Sequence, residues 1–151
     1  MLDNVDIRIL ECLKHNSREN ASVIGSKVNM SVSAVIERIK KLESSGIIKQ
    51  YTTVLDEEKL GYSVQALVFI NLDFHDRGKT FLEFCKKHPQ VIECVSVAGD
   101  YDVQLKVCAA HTADLEKLLS EIRALNGVKD TSTNMILSTY KQNFSPDITE
   151  N

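Results

Sequence analysis

Apolar residues recur along this chain with two different periods, and the change from one to the other falls near residue 60. Before it the spacing is three to four. Val5, Ile9, Leu10 and Leu13 form one set, Val23, Ile24 and Val28 a second, and Val32, Val35, Ile36, Ile39 and Leu42 a third. That spacing is the repeat of a helix with one buried stripe. It predicts helices over Asp6–His15 and Ser22–Val28, and a third from Val32 to a stop at Gly46. Asp3 or Asn4 can cap the first helix and Ser31 the third. Asn29 suits the bend between the second and third, because Asn tolerates positive φ better than other non-glycine residues. Ile47–Leu55 turns β-like and reads as a short strand, and the charged run DEEKLG at 56–61 reads as a linker.

From Val64 the period drops to two. Val64, Ala66, Val68, Ile70, Leu72 and Phe74 face one way, and Gln65, Leu67, Phe69, Asn71 and Asp73 the other, so the stretch reads as a strand. Gly78–His88 carries Phe81, Leu82, Phe84 and Cys85 at helical spacing and is ended by Pro89. Strands at Val91–Ala98 and Tyr101–Ala109 meet at Gly99-Asp100. Thr112 can cap a helix with Leu115, Leu118, Leu119, Ile122 and Leu125 on its inner face, and Val128–Tyr140 reads as a last strand. The order β-α-β-β-α-β is that of the ferredoxin-like split βαβ unit. Its two helices cover one face of the sheet and leave Leu67, Phe69, Ile136 and Tyr140 on the other. A bare apolar face wants a partner, and a sheet-to-sheet homodimer is the simplest supply. The expected fold class is therefore α+β. A helix-turn-helix, winged-helix-like domain spans 1–55, a hinge 56–62, a ferredoxin-like domain 63–141 and a fraying tail 142–151.

Charge sharpens the picture of the first domain. The whole chain carries a net −3, so nucleic-acid binding needs a local patch. Between Lys27 and Lys49 there are five bases (Lys27, Arg38, Lys40, Lys41, Lys49) against two acids (Glu37, Glu43). Two helices joined by a short turn fit a helix-turn-helix whose second helix enters the major groove of DNA, and they equally fit an αα-hairpin inside a helical core. On the first reading Ser31, Ser33, Ala34 and Glu37 face base edges. Arg38, Lys40 and Lys41 then hold phosphates, Arg38 foremost.

Other chemistries find little support. Cys12, Cys85, Cys94 and Cys108 form no CxxC and sit mostly in apolar stretches, as reduced thiols of a cytoplasmic protein would, and no metal site or cofactor is expected. The chain shows no signal-peptide pattern and no apolar run of membrane-spanning length. Its four histidines (His15, His75, His88, His111) are scattered without HExxH. GxSxG, Walker and GxGxxG motifs are also missing, so no enzyme class is indicated.

Taken together, the residues resemble the Lrp/AsnC (feast/famine) transcriptional regulators. The likeness runs through Leu2-Asp3, Asp6, Ile9-Leu10, Leu13, Asn16, Arg18, Ser31, Val35, Arg38-Ile39, Leu42-Glu43, Gly46, Ile48, Tyr51 and Leu60-Gly61. It continues through Val97-Ala98-Gly99-Asp100-Tyr101-Asp102, Lys106-Val107, Gly127-Val128 and Thr131-Ser132-Thr133. It covers nearly the whole chain, with Gly25 standing where the family often has Ala and Asn29 where it often has Gly. The resemblance implies dimers, often assembled to octamers, that bind double-stranded DNA and respond to an amino acid or similar small effector. It places the effector against the turn Gly99, Asp100, Tyr101 and Asp102 and the stretch Thr131, Ser132 and Thr133. The chemistry suits an α-amino acid. Asp100 or Asp102, the latter preferred, would accept from the ammonium; the Gly99 N–H and the hydroxyls would donate to the carboxylate. A plain hairpin turn also accounts for Gly99-Asp100. Two further readings share the architecture: a haem-biosynthesis decarboxylase-like subunit, and an effector module without DNA binding.

Overall fold

Asp3 opens the first helix with both halves of a capping box. Its Oδ1 accepts from the Asp6 N–H at 2.8 Å, and Asp6 Oδ2 accepts from the Asp3 N–H at 3.3 Å. The structure is a computed structural model and describes residues 2–73 and 78–148. Its elements are α1 (Asn4–His15), α2 (Ala21–Val28), α3 (Val32–Ser44), β1 (Val64–Leu72), α4 (Lys79–Lys87), β2 (Val91–Ser96), β3 (Val103–Ala109), α5 (Thr112–Arg123) and β4 (Val128–Met135). They divide into two units. One ends at Val54 and takes in the tail from Lys141; the other runs Leu55–Tyr140.

In the first unit Ile9, Ile24, Val28, Val35 and Leu42 bring all three helices onto one core. The stripes are narrower than the periodicity predicts, because Val23, Val32 and Ile36 are exposed. Three short helices can close around only one or two residues per turn. Asn29 takes the left-handed conformation, φ 58° and ψ 46°, as expected, and the Met30 N–H reaches back to the Gly25 carbonyl. Gly25 itself is buried, and a Cβ there would stand 2.7 Å from the Met30 carbonyl oxygen. The close approach of turn to helix thus requires glycine. Residues 47–55 form no strand, contrary to expectation. A strand needs a neighbour for its N–H and C=O groups, and the described residues supply none. The tail is held rather than frayed at Lys14, whose ammonium donates to the Pro146 carbonyl and pairs with Asp147 at 2.7 Å.

The second unit is a four-stranded antiparallel sheet in the order β2-β3-β1-β4, the ferredoxin-like arrangement. Val64, Ala66, Val68 and Ile70 of β1 and Val103, Leu105 and Val107 of β3 form its covered face. Phe81 and Cys85 of α4 and Leu115, Leu118 and Ile122 of α5 pack on that face. Phe74 and His75 lie outside the described residues. Several ends differ from expectation. Leu82 faces outward, β4 stops at Met135, and Tyr140 is almost fully exposed. His111 rather than Thr112 is the N-cap of α5, its N–H donating to Asp114. Cys85 and Cys108 are buried, whereas Cys94 is exposed; burial pushes the Cys85 thiol up to about 12.

Candidate functional site

The exposed side of α3 is built by its own start signal. Ser31 caps the helix, its Oγ accepting from the Ala34 N–H at 3.3 Å and lying 3.1 Å from Ser33 Oγ. With Val35 and Leu42 buried, helical geometry turns two parallel rows outward. One runs Ser33, Glu37, Lys41 and the other Val32, Ile36, Lys40, all exposed. Ala34 is half-buried at the margin. Lys40 and Lys41 make no ion pair among the described residues. Lys27, counted in the basic stretch, is paired with Glu19 at 2.7 Å.

Arg38 has a different position from the other bases. It is half-buried, and its guanidinium bonds Asp3 at 2.6 Å and Asp6 at 2.7 Å, joining the start of α1 to the middle of α3. The Asp6 N–H, then Arg38, hold the Asp3 carboxyl below its ordinary range, and the same pair of carboxylates raises Arg38. A guanidinium already neutralised by two acids is poorly placed to take a phosphate. The capping box therefore does two jobs, closing α1 and anchoring α3. Sequence spacing could not reveal this link, since the partners stand on different helices.

The effector candidates separate by face. The connection from β2 to β3 folds over the end of β1. The Asp102 N–H donates to the Ile70 carbonyl and its carbonyl accepts from Val97, both at 3.0 Å. Its carboxylate Oδ2 accepts from the Leu72 N–H at 2.8 Å. Asp102 thus terminates β1 with one carboxylate oxygen, while the residue itself stays exposed. Asp100 and Gly99 are exposed, Gly99 at φ 153°, where a side chain would be strained. The Tyr101 ring lies 5.6 Å from that of Phe69 on the uncovered sheet face. Ser132 is the register partner of Phe69 on β4 and shares that face. Thr131 and Thr133 pair with Ile70 and Val68 and point to the helix side. Tyr101, Phe69 and Ser132 therefore line one surface, with Asp100 at its rim. Two shallow hollows of about 320 and 280 Å³ lie elsewhere, at residues 141–147 and between α4 and Pro89. Among the described residues no cluster of His, Cys, Asp or Glu could hold a metal ion.

Comparison with known proteins decides what these two units are. The AsnC-type helix-turn-helix domain model matches residues 2–43, and the Lrp/AsnC ligand binding domain model matches residues 65–146. This chain belongs to the Lrp/AsnC family. It is a transcriptional regulator with a helix-turn-helix DNA-binding domain, as its sequence pattern led one to expect. The Bacillus subtilis transcriptional regulator AzlB is 35% identical, over 99% of this chain and 98% of that one. The crystal structure of a Neisseria meningitidis transcriptional regulator in complex with L-Met superposes with a TM-score of 0.92. It is 27% identical and covers 97% of this chain and 96% of that one. The feast or famine regulatory protein of M. tuberculosis complexed with L-methionine gives 0.86 at 28% identity, over 98% and 100%. No described helix of this Lrp/AsnC member is long and apolar enough to cross a membrane.

Proposed function

We propose that this protein acts in the cytoplasm, without enzymatic activity, as a DNA-binding regulator. Its α3 enters the major groove, and an amino acid or similar small effector adjusts its DNA binding or assembly. The observation that carries the reading is the exposed face of α3. Ser31, Ser33, Ala34 and Glu37 stand at its start, where recognition helices meet base edges, and Lys40 and Lys41 stand further along for phosphates. Arg38 supports this face from behind. Enrichment of bound duplexes from a random-sequence pool tests the reading: one recurring sequence is expected, and recovery of unselected DNA would end it.

The effector reading rests on relatives that bind L-methionine in their crystal structures and on the chemistry of the turn. Asp100 would meet the ammonium, with the Gly99 N–H and the Ser132 hydroxyl as donors to the carboxylate. Tyr101 would close the side chain against Phe69. Thr131 and Thr133 enter only through the strand they stiffen, and Asp102 through the turn it holds. A thermal-shift screen of the twenty amino acids on wild type and Asp100→Ala checks this. The expected ligand raises the melting temperature of the wild type alone. The surface is open in a single chain, so a neighbouring subunit would complete it. A homodimer through the uncovered sheet face, with assembly to octamers beyond it, fits the half-buried Leu67 and Phe69. It also fits Gln65 Oε1, which is buried without a hydrogen-bond partner among the described residues.

A further inference from the structure

Val32 and Ile36 are left without a role by the packing of the first unit. They are 46% and 42% exposed, while Val35 between them is fully buried. Both are β-branched, which lowers helix propensity, and surface helix positions that packing does not decide favour Ala, Lys or Glu instead. Standing four apart, they form one ridge that continues to Lys40. Ser31 and Ser33 border the ridge at its start. A single exposed aliphatic side chain would need no account. Two in register, on the outward face of a capped helix whose later lysines make no ion pair among the described residues, do.

We propose that Val32 and Ile36 read thymine, by contact with its C5-methyl group. This rests on the DNA-binding reading above and deepens it. The lysines fix the chemistry of the occupant, since Lys40 and Lys41 suit a polyanion and not an apolar protein surface. Within the major groove the thymine methyl is the apolar group a side chain can meet on a base edge, and aliphatic contact is its ordinary mode of recognition. Val32 lies in the first turn of α3 and Ile36 in the second, the part of a recognition helix that reaches base edges. Four residues of helix rise about 6 Å. Successive bases of one strand stand about 3.4 Å apart. The two contacts therefore fall about two base-pair steps from one another. The bound sequence carries two thymines at that spacing, on one strand or on opposite strands.

The test starts from the duplex that the full-length protein enriches from a random pool. Each thymine is replaced in turn by deoxyuridine, which removes the methyl and leaves every hydrogen-bonding group in place. Wild type should bind roughly fourfold more weakly for each contacted methyl lost. Ile36→Ser should no longer distinguish thymine from deoxyuridine at one of the two positions, and Val32→Ser at the other. Both substitutions lie on the surface, so melting temperature should hold, and a melt on each variant checks it. Equal binding of the thymine and deoxyuridine duplexes by wild type overturns the inference while leaving DNA binding intact. So does a thymine preference that both variants keep. Variants that change sedimentation but not base preference overturn it too, and assign the ridge to a subunit contact. A pool that yields no recurring sequence removes the base-reading role proposed for α3 and this inference with it.

Discussion

At the scale of single residues, the first unit depends on contacts that look like something else in the sequence. Arg38 reads as a free base on a polar helix face, yet it bridges two carboxylates on another helix. Arg38→Ala should lower stability by about 1 kcal/mol, the modest value of a pair that solvent reaches. It should leave the salt dependence of DNA binding close to that of the wild type. Lys40→Ala or Lys41→Ala should do the opposite, lowering the salt slope by about 0.9 each with little effect on melting. Salt titrations beside thermal melts separate the two groups. The same bridge has a pH signature. The Asp3 carboxyl is held low in the folded chain, so its contribution is present above the ordinary value of about 3.9 and is lost as pH falls through the depressed one. Asn also caps helices well, so Asp3→Asn should keep the start of α1 and flatten the acid limb of the melting profile. Gly25 is a second case. In an open helix, Gly→Ala would gain about 1 kcal/mol. Here the added Cβ would meet the Met30 carbonyl at 2.7 Å. Gly25→Ala should therefore destabilise by about 1–3 kcal/mol, as overpacking does, measured by chemical denaturation. Asn29, Ser31 and Asp3 were legible because their chemistry is local. Arg38 and Gly25 were not, because what decides them approaches from another helix or from across a turn.

Elements show the same division between what is local and what is not. The two-residue period of β1 placed Val64 to Ile70 on the covered face without error, since alternation is intrinsic to a strand. The outer limits of elements were less legible. Residues 47–55 have strand-like composition and no strand partner among the described residues, and β4 stops at Met135, five residues short of Tyr140, with one more N–H, that of Ile136, reaching the Gln65 carbonyl of β1. For the candidate effector residues the sequence shows the residue types but not the faces they occupy. Thr131-Ser132-Thr133 reads as one hydroxyl cluster, whereas the pleat sends Ser132 to one face and its neighbours to the other. Asp102 reads as a ligand group and serves as the stop of β1. Asp102→Ala should cost about 1 kcal/mol by leaving the Leu72 amide without its acceptor, while Asp102→Asn, which keeps an acceptor oxygen, should cost less. Amide hydrogen exchange at Leu72 reports this directly, with faster exchange expected in the alanine variant alone.

For the whole molecule the uncovered sheet face is the feature with the widest effect. Leu67 and Phe69 lie on it and take no part in the core beneath, so Leu67→Asp should leave the fold of a protomer intact and dissociate the proposed dimer. Sedimentation at micromolar concentration checks both halves, and a wild type that is already monomeric would refute the claim. The sheet order has a consequence of another kind. β1 is central, and both its neighbours, β3 and β4, come later in the chain. As the protein leaves the ribosome, the three N-terminal helices need only their own local contacts and can fold early. The segment VQALVFINL must then wait, with both edges unpaired, until 37 further residues have emerged to complete β3 and 63 to complete β4. At elongation speeds of roughly 5–20 residues per second, that is an interval of seconds in which an apolar strand stands open to stray pairing. The nascent chain is most vulnerable to aggregation and to capture by chaperones in that window, after its three N-terminal helices have emerged.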